Sequence, residues 1–356
     1  MTHSVTQPWV TNKDEYREMM VLWPDVVRKF ADAVNTLNAP RNVRKSMAEV
    51  LQYDVRRGEK TRGLTVVYAY RLLASNNQLT EDNIRLARIL GWCVKLFQAY
   101  LFLFDDIQYR SLLRRSLPRL YRDKDFFTAV IYNGLIIECC LNFLIREHFR
   151  EKECYIDLEE TFQDIMRKTI ESQLTDFIST NFYKKPNLDL FTMDHYNKIV
   201  KYKTSNYSFI LPVTAAMHFA GIKDPEIFKQ AKIILLKMGH LFQVQDDYLA
   251  CFGNPKVFGK DNTDIQKGKC TWLIVTTLDR ATLEQRKILE ECYGSSYPEK
   301  VRRVKQLFID LELPNAYCMY EEETYNLLNE HIQRVSRELP DSLFLDLLGK
   351  LYRRVN

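Results

Sequence analysis

Two pairs of adjacent aspartates sit at the ends of strongly apolar segments. Asp105 and Asp106 close LFQAYLFLFDD, and Asp246 and Asp247 follow the apolar run of KMGHLFQVQDDYL about 140 residues later. Neighbouring carboxylates after such a run are costly to bury unless a cation compensates them. One pair alone is what a helix emerging into water looks like. Two, on helices that face each other, would set oxygen ligands on opposite sides of a cavity, the arrangement required by hard Mg²⁺ ions bridged by a diphosphate. Cations complete the set: Arg114 and Arg115 follow the first pair, Lys203 precedes Thr204 in mid-chain, and Lys260 and Lys269 flank the segment after the second pair. Singly these are ordinary surface charges; with the aspartates they could hold both metal and phosphate oxygens.

The elements that must position these groups are helical. Ile84, Ala87, Leu90, Gly91, Val94, Phe97 and Leu101 recur at three and four residues, which makes one face of a helix. Thr80 or Asp82 is a candidate cap, and the pattern runs to Ile107. Similar patterns cover 14–36, 41–53, 64–75, 124–149, 156–181, 192–220 and 224–251, with shorter helices from 269 to the end, and no strand is expected. The 11 Gly and 11 Pro suit long helices joined by short turns. Hydrophobic residues make up 46%, with 20 Phe and 20 Tyr, enough for a large core and an aromatic-walled pocket. The reading is a single all-α domain over 14–356 preceded by a flexible tail, 1–13.

A net charge of +5 with no basic run argues against nucleic-acid binding. The eight cysteines have no CxxC spacing, so free buried thiols are expected rather than a zinc site or disulfides. The first residues carry neither a secretory nor a mitochondrial signal, and no run of 18 apolar residues occurs, so a cytoplasmic protein without a membrane anchor is expected.

Three segments together are specific. FDDIQYRSLLRRSLPRLY, YKTSNYSFILPV and FQVQDDYLACFGNPKVFGKDNTDIQKGKCTWLIV resemble, in order and separation, the first aspartate-rich motif, the Lys-Thr helix break and the second aspartate-rich motif of farnesyl diphosphate synthases. The similarity extends from about Leu51 to the basic stretch Leu351 to Arg354. It implies the all-α isoprenoid synthase fold around a deep central cavity, a homodimer, and three Mg²⁺ that ionise an allylic diphosphate. By resemblance Asp105, Asp106, Asp246 and Asp247 carry over to the metal motifs. Lys203, Thr204, Tyr207 and Gln243 match catalytic positions at the break, and Arg114, Lys260 and Lys269 match groups around the allylic diphosphate. Arg62, Gln98, Arg115 and Phe242 match the site of the second substrate, isopentenyl diphosphate. Tyr100 and Leu101, just before the first motif, hold positions that set pocket depth, and Leu101 leaves room for a C15 chain.

Several positions depart from the family. The motif Gly-Gly-Lys-x-x-Arg is here Arg57-Gly58-Glu59-Lys60-Thr61-Arg62, with a glutamate where isopentenyl diphosphate should meet a lysine. The final aspartates of both DDxxD motifs are replaced, by Tyr109 and Ala250, so each motif lacks an oxygen one helical turn from its first. Asn206 follows Ser205 where Ala-Phe is frequent. These changes spare the allylic site more than the isopentenyl site. They lead to the expectation of a class I terpene synthase, similar to insect enzymes of this ancestry, converting farnesyl diphosphate to a sesquiterpene. The alternatives are a working prenyltransferase, in which Lys60 or Arg57 substitutes for the lost lysine, and a non-catalytic partner subunit of an active synthase.

Overall fold

The computed structural model describes residues 13–35, 40–109, 113–114, 117–118, 124–180, 185–253, 263–335 and 338–352. The expected tail lies outside them except for Lys13, which opens α1 (Lys13–Val21). The helix expected over 14–36 is split, because Pro24 at the start of α2 (Trp23–Asn35) cannot donate to a preceding turn. α3 (Arg41–Val50) runs into a short π-helical turn, and α4 (Thr61–Leu73) follows the loop over 56–60.

α5 (Glu81–Gln108) is the central rod. Thr80, not Asp82, caps it by accepting from the Asn83 amide at 3.3 Å. An 18-residue window of α5 is long and apolar enough to cross a membrane, yet 83% of it is buried within the protein. No unbroken apolar run marks it in the sequence because Lys95 and Gln98 interrupt the stretch. Leu113–Arg114 and Leu117–Pro118 then pair antiparallel, a two-rung hairpin where no strand was expected. Long helices α6 (Lys124–Phe149) and α7 (Tyr155–Thr180) follow.

The single helix expected over 192–220 is three pieces: α8 (Met193–Ile199), a π-helical segment Val200–Ile210, and α9 (Leu211–Phe219). The wider winding is supported from both sides. Thr169 and Ser172 of α7 donate their hydroxyls to the Tyr202 and Ile199 carbonyls at 3.0 and 3.2 Å, and Ser205 donates to the Val200 carbonyl at 3.2 Å. Carbonyls released from regular winding thus keep partners, as buried backbone must.

α10 (Pro225–Phe252) packs on this segment. Five shorter helices complete the chain: α11 (Trp272–Arg280), α12 (Leu283–Cys292), α13 (Pro298–Asp310), α14 (Leu313–Ile332) and α15 (Asp341–Leu351). One apolar cluster joins α2, α4, α5, α6, α9 and α15 around α5, and a second joins α8, α11, α12 and α13 beside the outer part of α10. The site lies where the two clusters meet. All eight cysteines are free; six are buried, while Cys139 and Cys318 are exposed.

α10 comes this near the π-helical segment only because residue 239 is glycine. A Cβ there would lie 2.6 Å from the Ser205 Cα and 2.4 Å from its hydroxyl oxygen. Gly239→Ala should therefore lower stability by about 1–3 kcal/mol, the usual cost of overpacking, measured by urea unfolding. An unchanged midpoint would mean that the two elements can separate freely.

Candidate active site

The first aspartate pair divides its work. Asp106 is buried at 1% exposure, whereas Asp105 turns a partly accessible side chain toward the π-helical segment. There Lys203 Nζ sits 3.0 Å from Asp105 Oδ1 and 2.5 Å from Asp176 Oδ2. Burial works against the charge on Lys203, but Asp176 and Asp105 outweigh it and hold the ammonium above the ordinary lysine range. Asp176 also accepts from the Tyr109 hydroxyl and from Gln108 Nε2 at 3.3 Å. Gln173, one turn earlier on α7, donates to Gln108 Oε1 at 2.5 Å and toward Asp105 Oδ1 at 3.4 Å.

Tyr109, which replaces an aspartate, is a wall of this chamber. Lys203 Nζ lies 4.9 Å from its ring centroid and Lys269 Nζ 4.6 Å, both within cation–π range. Burial first, then Asp176 and Asp105, push its hydroxyl well above the usual phenol range, so it stays a proton donor. Lys269 pairs with Asp264 at 2.8 Å; burial opposes its charge, and Asp264 and Asp105 override that.

The second pair is divided in the same way. Asp247 is buried with both oxygens engaged: Oδ1 accepts from Gln243 Nε2, and Oδ2 accepts from the Tyr196 hydroxyl and the Trp272 amide, each at 2.8 Å. Burial raises its carboxyl to about 7 against the pull of those donors. Asp247 therefore braces α10 against α8 and α11, and Asp246 is the more accessible of the two. Gln243 continues the chain by accepting from the Thr204 hydroxyl at 2.7 Å, which ties the helix break to the second motif.

Arg62 lies in the adjacent wall. Its guanidinium binds the Ser208 hydroxyl at 2.9 and 3.0 Å and stacks 5.2 Å from the Tyr207 ring and 5.9 Å from the Phe242 ring. Gln98, Asn206, Tyr207, Tyr100 and Leu101 are all buried, and Tyr100 packs on Phe104 with centroids 4.9 Å apart. Of Arg114 only the backbone is described, and Arg115 and Lys260 lie outside the described residues.

The loop carrying Glu59 differs from the sequence reading. Glu59 is exposed, and the charge it influences is Lys350 of α15. Lys60, offered as a substitute for the lost lysine, is 2% exposed and donates to the Arg56 and Gly58 carbonyls at 2.5 and 2.7 Å. It closes its own loop. The acidic residue is thus exposed to solvent, while its neighbour Lys60 is turned inward.

Sequence reasoning missed Asp176, Gln173, Gln108, Asp264 and Tyr196. Thr169, Ser172, Asp176 and Thr180 are all buried polar residues at spacings of three and four on α7, a pattern that could have marked a polar face turned inward.

The polyprenyl synthetase family model matches residues 44–311. This chain belongs to the polyprenyl synthetase family. It is 46% identical over 348 residues to the farnesyl pyrophosphate synthase of Murgantia histrionica, covering 98% of this chain and 84% of that protein. Against the Gallus gallus farnesyl pyrophosphate synthase it is 40% identical, covering 96% and 92%. A solved structure of T. brucei farnesyl diphosphate synthase complexed with minodronate superposes with a TM-score of 0.88 at 27% identity, covering 96% of this chain and 100% of that one. The polyprenyl synthetase family member is therefore an enzyme with the all-α isoprenoid synthase fold, from a family generally dependent on Mg²⁺.

These relatives overturn the expectation of a sesquiterpene-forming lyase. Relatives 40–46% identical over nearly the whole chain are named as farnesyl pyrophosphate synthases, which favours the prenyltransferase alternative. The changes at positions 59 and 109 were read as erosion. In the fold, one faces solvent and the other forms a hydrogen-bonded wall of the chamber.

Asp176 is the hub of this arrangement, which orders two substitutions. Asp176→Asn leaves Lys203 with Asp105 alone and should cost about 1–3 kcal/mol of stability, as loss of one partner of a buried charge does. Tyr109→Phe removes one hydrogen bond and should cost about 1 kcal/mol or less. Urea unfolding of both proteins gives the order; a reversed order would show that Tyr109 anchors the chamber instead.

Proposed function

We propose that this enzyme is a farnesyl diphosphate synthase-type prenyltransferase, joining isopentenyl diphosphate to an allylic diphosphate. The observation that carries the reading is the chamber of charges in which Lys203, paired with Asp105 at 3.0 Å, and Lys269 both lie against the Tyr109 ring, 4.9 and 4.6 Å from its centroid. Such a chamber suits an anion with several oxygens that leaves a developing cation behind.

Asp105 and Asp246, the accessible member of each pair, are hard oxygen donors that would hold Mg²⁺ together with diphosphate oxygens. When bound, the metal neutralises the charge that builds on the leaving diphosphate. Lys203 and Lys269 contribute the same from the protein side. The allylic C–O bond breaks with its electron pair leaving on diphosphate, the double bond of isopentenyl diphosphate attacks the carbocation, and loss of a proton restores an alkene. Thr204, Gln243 and Tyr207 border the cation and exclude water from it. Tyr100 and Leu101 close the far end at a depth suited to a C15 product. Arg62 and Gln98 belong to the second diphosphate site.

A homodimer fits as well. Ile131, Tyr132 and Leu135 on α6 and Ile170, Leu174 and Ile178 on α7 are exposed apolar residues, the α7 three at helical spacing on one face. Leu174→Glu should convert a particle of two 42.3 kDa chains into one chain by light scattering, and an unaltered mass would remove this face from consideration. Eight free cysteines support a cytoplasmic location.

The activity is tested by giving the protein Mg²⁺ with geranyl diphosphate, with or without isopentenyl diphosphate, and identifying products by mass. Farnesyl diphosphate is expected only with both substrates, and a chelator should abolish it. Asp105→Ala should lower kcat by about 10²–10³, as removal of one group stabilising developing charge does elsewhere. Volatile hydrocarbons formed without isopentenyl diphosphate, and no elongation, would refute the proposal.

A further inference from the structure

The loss of lysine at position 59 leaves the question of what attracts the second diphosphate. The wall behind that loop contains a cation outside every family motif recognised in the sequence. Lys95 lies in the middle of α5 at 1% exposure, among the largest fully buried side chains of the protein. Its Nζ donates to Gln98 Oε1 at 2.9 Å.

Its direction follows from its neighbours. Gly91 and Gly63 bring α5 and α4 into backbone contact, since a Cβ on Gly91 would lie 2.6 Å from the Gly63 carbonyl oxygen. Trp92 lies under Lys60, with Nζ 5.5 Å from the ring centroid. Lys95, three residues from Trp92 and three from Gln98, adjoins both along α5 and lies between them on the side of the Lys60–Arg62 segment. Phe97, next to Gln98, stacks on Tyr207 at 6.3 Å, and Tyr207 carries the Arg62 guanidinium. Lys95, Gln98 and Arg62 thus belong to one wall. Because Gln98 gives its carbonyl to Lys95, its NH₂ end is the part left to meet a ligand, and that end can only donate.

We propose that Lys95 is the charge-bearing and positioning residue of the isopentenyl diphosphate subsite: it supplies the positive field displaced from position 59 and orients the Gln98 amide so that its donors face phosphate oxygens. This rests on the prenyltransferase reading. A buried ammonium acts through a medium less polarisable than water, so its attraction for a dianion is less screened than that of a loop lysine.

The test is calorimetric titration of isopentenyl diphosphate into the full-length protein and into Lys95→Met, which keeps the apolar stem and removes the charge. Replacing a buried charge by an apolar side chain of similar size is compatible with folding, and a thermal melt checks it. The expected result is a weakening of at least about tenfold, the size of one charge-assisted contact, with geranyl diphosphate affinity held within about twofold. In turnover, KM for isopentenyl diphosphate should rise while KM for geranyl diphosphate stays, and Lys95→Arg should recover part of the loss. Equal isopentenyl diphosphate affinity in a folded Lys95→Met protein overturns the proposal, as does a wild type that binds none. If binding depends on Lys95 but no elongation follows, the subsite stands and the prenyltransferase reading fails. If elongation proceeds in Lys95→Met at unaltered KM, the reading stands and the subsite fails.

Discussion

The Lys203 ammonium, held between Asp105 of α5 and Asp176 of α7, is the interaction on which the site depends. Three elements must converge for it to form, and one is the π-helical segment, which has little intrinsic stability of its own. The two carboxylates lie where repulsion would drive them apart without a cation between them. Lysine in turn keeps its charge at this depth only because both are present. Each partner therefore justifies the burial of the others, and the group holds as a unit.

The surrounding structure serves that unit. α7 supplies hydroxyls to the carbonyls of the π-helical segment, and Gly239 lets α10 approach from the opposite side. Once α10 is that near, Thr204, Gln243 and Asp247 join in one hydrogen-bonded line to Tyr196 and the Trp272 amide. The first and second aspartate motifs are thus coupled through the helix break. Tyr109 fits the same logic: it replaces an oxygen ligand by an aromatic face for two ammonium groups and a donor to Asp176.

Much of this was legible in the sequence. α5 and α10 announce themselves as long apolar runs that end in paired carboxylates, because burial of such runs and solvation of such pairs are opposed demands. What could not be read was direction. Glu59 occupies the position of a ligand lysine, but the backbone of its loop turns it to solvent and Lys60 inward. Lys95 drew no reading from the sequence, although a polar residue inside a helix this buried needs a reason. Asp176 drew no reading from the sequence, and the packing of α7 against the π-helical segment shows that its face is inward. Asp247 looked equivalent to Asp246 until its oxygens were counted against their donors.

The winding of residues 200–210 also sets a phase. Each residue of an ordinary helix turns the chain by about 100°, so removing a single residue between Val200 and Ile210 would rotate α9 about its axis by that angle relative to α8. Insertions and deletions, usually tolerated in surface loops, are here as consequential as replacing the lysine itself, and the length of this stretch is a property of the active site in its own right.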